Sequence, residues 1–432
     1  MTTRPRFTFR VSLPVFMLAM FGLLSMIATT SALGQTFTVL HTFTGGADGS
    51  EPFAGVTVGG PGRLYGTASI GGIYRNGVVF ELERRASGWV LYPLYEFPSA
   101  RDGFDPIAPL TIGPNGALYG STEFGGGGSG DGTVFELQSP ATGCEAFLCF
   151  WSETLLHSFE TGQNDGAFPF YTKLIFDQAG NIYGTTEVGG AYDTCPGNQG
   201  SYPCGVVFEL TSSGGSWTES ILHSFDDNGT DGWYPLVGVI LDSAGNLYGT
   251  TESGGTAGGG TVFELSPSGG GTWIESILYN FGPGYLGGPS NPEELIMDQS
   301  GNLYGSTQTG GQYDSGSVFE LMPSGGSWTF STLYNFGNNC FTQSVTMDTA
   351  GNFYGNCLLG GAYDEGMVFK LTNSGGSWTL TDLHDFTNGS DGGIPSGGVA
   401  IDASGNLYGT TQGGGTYGDG VVWEISGLAD RQ

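Results

Sequence analysis

Seven copies of one short phrase constrain this chain more than any other feature. They are Leu64-Tyr65-Gly66, Leu118-Tyr119-Gly120, Ile182-Tyr183-Gly184, Leu247-Tyr248-Gly249, Leu303-Tyr304-Gly305, Phe353-Tyr354-Gly355 and Leu407-Tyr408-Gly409. Successive tyrosines lie 54, 64, 65, 56, 50 and 54 residues apart. A second phrase follows each copy: Val79 to Leu82, Val134 to Leu137, Val207 to Leu210, Val262 to Leu265, Val318 to Leu321, Val368 to Leu371 and Val422 to Ile425. Self-similarity at this period marks a repeat architecture, so one unit must be read before the whole.

In the fourth unit, Leu236 to Leu241 is a short apolar run and Asp242-Ser243-Ala244-Gly245-Asn246 a tight turn, since Gly and Asn tolerate positive φ. Leu247 to Thr251 is a second strand. The glycine-rich segment 253–260 leads to a third, Thr261 to Leu265, and Ser268-Gly269-Gly270-Gly271 turns into a fourth, Trp273 to Phe281. Nothing in the unit has a helical period. Four antiparallel strands in about 57 residues make a propeller blade.

The ends fix the count. Each fourth strand places Phe eight residues after Trp, as in Trp89/Phe97, Trp151/Phe159, Trp217/Phe225, Trp273/Phe281, Trp328/Phe336 and Trp378/Phe386. The last unit stops after its third strand at Ile425. Phe37 to Phe43 carries the missing fourth-strand pattern, so strand 36–43 is expected to complete the blade holding residues 398–425 and to remove the free sheet edges. The fold class read from the sequence is all-β: a seven-bladed β-propeller occupying residues 35–432 as one domain.

Residues 1–34 read as a secretory leader. Arg4, Arg6 and Arg10 precede an apolar run from Val11 to Thr29, and Ala32-Leu33-Gly34 places small residues before Gln35. An uncleaved anchor is the other reading, although the run is near the lower length limit for a span. No later stretch approaches bilayer length. The protein is therefore expected to be secreted or periplasmic, without a transmembrane segment after cleavage.

The phrase Leu-Tyr-Gly-Thr-Thr, then Gly-Gly, then Gly-Thr-Val-Phe-Glu-Leu, as in Leu247 to Leu265, resembles the Gloeo/Verruco tandem-repeat family of secreted bacterial proteins. The resemblance covers nearly the whole chain after the leader and implies an extracytoplasmic, propeller-like protein. It supplies no catalytic residues. Anchored members carry a sorting tail, and none follows Ile425 here.

Charge excludes some partners. The chain carries 41 acidic and 11 basic residues, a net charge of −30, and the only lysines are Lys173 and Lys370. Nucleic acid is excluded because phosphate binding needs clustered cations. A glycan, a small molecule or a protein remains as partner, and the chain is expected to be a monomer. High net charge also serves solubility alone.

Six cysteines in an exported chain read as disulfides. Sequence neighbours suggest Cys144 with Cys149 and Cys195 with Cys204. Cys340 and Cys357 both replace residues of the common repeat in the sixth blade, so their two places should touch. The loop leading into a blade should then lie against the end of its second strand. Metal ligation is the alternative and lacks a nearby His.

That geometry gathers the unusual groups on one loop-rich face. The lead-in loops carry Asp48, Asp102, Asp165, Asp231 and Asp391, each before Gly. The loops between second and third strands carry Glu123, Glu187, Glu252, Gln308 and Gln412, then Tyr192-Asp193, Tyr313-Asp314 and Tyr363-Asp364. Oxygen ligands and aromatics on one rim can hold Ca²⁺ or stack a sugar. The same residues also serve as turn formers, with Asp-Gly closing Asx-turns.

His41, His157, His223 and His384 each precede a fourth-strand Phe by two residues, where the other blades have Tyr95, Tyr279 and Tyr334. This reads as an aromatic place with a polar tip, and the spread over separate blades argues against one metal cluster. Third-strand Glu81, Glu136, Glu209, Glu264, Glu320 and Glu424 read as polar contacts between blades. No nucleophile elbow, zinc-protease motif or P-loop is present. The function expected is a non-enzymatic exported binding module. The alternative is a propeller hydrolase or lyase acting on a glycan or small molecule, with Ca²⁺ as its candidate cofactor.

Overall fold

The computed structural model describes residues 34–428, apart from 141–150, 162–163, 193–194, 198–199, 203, 285–287 and 338. Among these residues there is no α-helix, and seven four-stranded antiparallel sheets form the blades. In blade 4 the strands are Ile240–Leu241, Leu247–Thr251, Thr261–Gly269 and Thr272–Asn280, hydrogen-bonded in that order. The innermost strand is shorter than its apolar run suggests. Its upstream residues turn to neighbouring blades instead, and Tyr171 bridges to Val237 in parallel.

The last sheet is Thr36–Thr42, Val421–Ser426, Leu407–Thr411 and Ala400–Ile401 in spatial order. Thr36 pairs with Ser426 and Thr42 with Val421. The first strand of the chain thus closes the ring as its outermost seventh-blade strand.

Blades are held to one another in two ways. The fourth-strand Phe of each blade meets the third-strand aromatic of the next: Phe43–Phe80, Phe97–Phe135, Phe159–Phe208, Phe225–Phe263, Phe281–Phe319, Phe336–Phe369 and Phe386–Trp423, with centroids 4.8 to 6.1 Å apart. The glycine of each Leu-Tyr-Gly phrase exists for this ring. A Cβ on Gly249 would lie 2.5 Å from Phe263 Cζ.

The second tie is a hydroxyl latch. Thr185 Oγ1 donates to Val237 O at 2.8 Å, Thr250 to Glu293 O at 3.1 Å and Thr410 to Ala54 O at 2.8 Å, each crossing to the next blade. Asn356 substitutes in blade 6, donating to Pro395 O and Gly397 O. Thr410→Val should cost about 1–3 kcal/mol, because it strips a buried carbonyl at the ring closure of its donor. The fall in the urea midpoint at unchanged slope measures it.

Two disulfides, Cys195–Cys204 and Cys340–Cys357, are formed. The second places the loop leading into blade 6 against the end of strand Phe353–Cys357, as the paired replacement implied. Cys144 and Cys149 lie outside the described residues.

The third-strand glutamates differ from the reading as contacts between blades. Each sits opposite the repeat tyrosine of its own blade, as Tyr248 opposite Glu264. Tyr183 OH donates to Glu209 at 2.9 Å and Tyr304 OH to Glu320 at 2.9 Å. The turn aspartate joins the same phenol, as Asp298 does at 3.2 Å from Tyr304. Alternation says which residues share a face of a strand; cross-strand register then puts tyrosine and glutamate side by side.

A β-bulge interrupts every third–fourth strand pair, between Val207 and Phe208 in blade 3, for example. One extra fourth-strand residue reverses the side-chain alternation beyond it. Glu219, before the bulge, therefore faces the preceding blade, and His223, after it, faces the next.

Candidate functional site on the loop-rich face

The lead-in loops and the second-to-third-strand loops lie against each other. Gly190 N donates to Asp165 O at 2.8 Å and Gly255 N to Asp231 O at 2.7 Å. At the axis this face opens on a narrow channel lined from all seven blades, including Phe53, Pro109, Tyr171, Val237, Glu293, Ser344 and Ser396; its cavity is only about 60 Å³.

Carboxylates of blades 2 to 5 gather on one side of the mouth, beside Tyr171. The backbones of Glu123, Glu187 and Glu252 are fixed by bonds to Asp105 O, Phe168 O and Tyr234 O. Those acceptor residues have φ of 56°, 56° and 60°, and each precedes a proline. Non-glycine residues rarely adopt such angles, so the surrounding structure holds these loops in one shape. Burial, then Asp105 and Glu187, pushes Glu123 up to about 7. Burial, then Glu252, pushes Glu187 up to about 7, and Glu293 rises to about 8 through burial, Glu252 and Glu294. Tyr171 is raised by burial and by Glu293 and Glu123. The groups form an arc; among the described residues none of the three-ligand groups of metal-binding size lies at the mouth.

These shifts fix a sign for pH dependence. Glu123 and Glu187 rise from an ordinary value of 4.5, so the fold keeps their protons where the unfolded chain has lost them. Stability from this pair then falls as pH rises from about 4.5 to about 7 and is level above that. The double variant Glu123→Gln/Glu187→Gln should melt higher than the parent at about pH 8, with the difference gone at about pH 4. Equal melting temperatures at both values would remove the mouth carboxylates from the account.

The lead-in aspartates turn inward. Asp48 accepts from Thr44 N at 3.1 Å and Asp391 from Thr387 N at 3.1 Å, closing their loops. Asp102 accepts from Ser99 Oγ, and Asp165 from Glu160 N. Each histidine also meets the next blade's aspartate through Nε2: His41–Asp48 at 3.1 Å, His157–Asp165 at 3.3 Å, His223–Asp231 at 3.1 Å and His384–Asp391 at 3.3 Å. A constant spacing of seven or eight residues from His or Tyr to Asp carried this signal in the sequence.

The tyrosines do the opposite. Tyr192, Tyr313 and Tyr363 are 46%, 59% and 61% exposed. Tyr74 and Tyr417, at the matching loops of blades 1 and 7 and missed by sequence reasoning, are 54% and 63% exposed. A Gly-Gly-x-Tyr pattern marks all five. Asp314 and Asp364 cap backbone N–H groups beside them, and Asp193 lies outside the described residues. The far face has an open slot between blades 5 and 6, but its Asp298 and Asp348 are held in turn and tyrosine bonds.

The sequence profile of the Gloeobacter/Verrucomicrobia repeat matches residues 25–195 and 192–423. No curated protein matches the chain. Among solved structures, the chain is similar to a streptogramin B lyase at 13% identity and TM-score 0.55, covering 91% of this chain and 98% of that one. It is also similar to the extracellular domain of a one-component system from B. thetaiotaomicron at 12% identity and TM-score 0.53, covering 92% of this chain and 43% of that one. At these identities the likeness concerns the fold alone. No helix among the described residues is long and apolar enough to cross a membrane.

Proposed function

Because the chain belongs to the Gloeobacter/Verrucomicrobia repeat family, we propose that it is an exported, non-enzymatic binding module whose ligand, a neutral saccharide, docks on the loop-rich face. The observation that carries this reading is the set of five exposed tyrosines, one per loop in blades 1, 3, 5, 6 and 7. A tyrosine offers a flat apolar face and a hydroxyl at small entropic cost. Five around one rim give weak contacts that add through multivalency. A net charge of −30 disfavours anionic ligands, which the ring repels. Two disulfides suit an oxidising compartment.

A glycan array probed with residues 35–432 tests this reading. Binding to neutral oligosaccharides is expected, and an array without signal above background contradicts it.

One observation favours the second reading, a hydrolase or lyase. Glu123 and Glu187, both held near 7, can exchange protons at neutral pH beside Tyr171. Turnover of an array-positive glycan, abolished by Glu123→Gln, would replace the binding module by an enzyme. Ca²⁺ belongs to this reading; a melting midpoint unmoved between Ca²⁺ and EDTA argues against it.

A further inference from the structure

We infer that the junctions between blades 2 and 3 and between blades 3 and 4 are two divalent transition-metal sites of the zinc class. The first consists of His157, Asp165 and Glu219, the second of His223, Asp231 and Glu275. In each, the histidine comes from the fourth strand of one blade, the aspartate from the loop leading into the next, and the glutamate from that next blade's fourth strand. The bulge described above makes this possible, because it sends Glu219 backward to one site and His223 forward to the other.

Three observations carry the assignment. First, the donor atoms of each group lie within 4.8 Å of one another. Nε2 of His223 is 3.1 Å from Asp231 Oδ2 and 3.6 Å from Glu275 Oε1, and His157 has 3.3 and 3.6 Å to Asp165 and Glu219. A tetrahedral ion with bonds of about 2.0–2.1 Å separates its ligands by about 3.3 Å. Calcium needs six to eight oxygens at longer range, which these junctions lack.

Second, the site between blades 3 and 4 leaves buried oxygen without a donor. The Asp231 side chain is 5% exposed. Its Oδ2 accepts from Asp226 N and meets His223, while Oδ1 has no hydrogen-bond partner, and neither has Glu275 Oε1. Glu219 Oε1 is likewise unpartnered at the other site. Burying anionic oxygen in that way is costly unless a cation or proton joins it.

Third, the ring contains its own comparisons. Between blades 1 and 2, Tyr95 replaces the histidine, and its OH donates to Glu153 at 2.8 Å. Leu91 takes the glutamate's place opposite His41, and Phe37 takes it opposite His384, stacking at 3.6 Å. Two complete imidazole-plus-two-carboxylate sets remain among the described residues. Their natural occupant is a borderline cation that accepts both donor types, with a fourth position open.

The test uses the ring, residues 35–432, stripped with EDTA and dialysed against Zn²⁺ alone. Elemental analysis should find two zinc ions per chain. Glu219→Gln and Glu275→Gln should each retain one, and the double variant none. Glutamine keeps the shape of the protonated carboxyl, so circular dichroism should show each variant folded. Substituted Co²⁺ should give the intense visible bands of a four-coordinate site, lost in the double variant. No retained zinc in the parent would overturn the inference and leave a shared proton between the carboxyls. Two ions retained by the folded double variant would overturn it equally.

Discussion

A chain that begins at Thr44 is expected to lose cooperative folding. The missing strand, Thr36–Thr42, supplies the outermost ladder of blade 7, and Phe43 just beyond it is fully buried. Phe43 packs on Phe80 of blade 1 at 5.4 Å, and Phe37 stacks on His384 at 3.6 Å, so three blades lose contacts together. Losing a buried Phe alone costs about 3–5 kcal/mol, a large part of a typical domain stability of about 5–15 kcal/mol. The exposed edge of Val421–Ser426 would then recruit other chains. Urea unfolding should become broad, and size-exclusion should show oligomers. A synthetic peptide of residues 35–43 added in trans should restore the sharp transition. An unchanged midpoint after truncation would contradict ring closure.

The second large effect is expected from Gly249→Val. Its φ is not in the positive region, so the cost is steric. The Cβ would meet Phe263 Cζ at 2.5 Å and Val239 Cγ1 at 3.0 Å. Phe263 cannot retreat, since Phe225 of the preceding blade lies 5.2 Å behind it. Overpacking of this kind costs about 1–3 kcal/mol or more. Phe263→Leu should recover part of that loss, making the double variant more stable than the sum of the single changes. Strict additivity would mean that the ring does not occupy the space above the glycine.

The architecture was legible because the repeat states it many times. The Trp-to-Phe spacing located six fourth strands, and the same strand pattern over Phe37 to Phe43, with Gln35 at the place of the Trp, gave the closure found in the pairing of Thr36 with Ser426. Cys340 and Cys357, replaced together, revealed a contact across a loop. The junction sites were hidden for a physical reason. His223, Asp231 and Glu275 belong to two blades, and only the bulge, which has no residue signature in a single strand, decides which way His223 faces. The third-strand glutamates were given to the wrong neighbour because alternation does not name the partner strand. Of the mouth carboxylates, Glu123, Glu187 and Glu252 were named from the repeat, whereas Asp105 and Glu293 escaped, since they precede or follow prolines in loops of unequal length.

The polar groups of the repeat are bound into the fold: tyrosine to glutamate, histidine to aspartate, threonine to the next blade's carbonyl. What the loop-rich face leaves free is its tyrosines. The most direct measurement is therefore the affinity of the ring for its array-identified saccharide after replacing Tyr74, Tyr192, Tyr313, Tyr363 and Tyr417 together by Ala. All five are exposed, so the melting temperature should hold. Affinity should fall by at least about tenfold, equivalent to about 1.4 kcal/mol. Full affinity in the folded five-fold variant would contradict binding through this face.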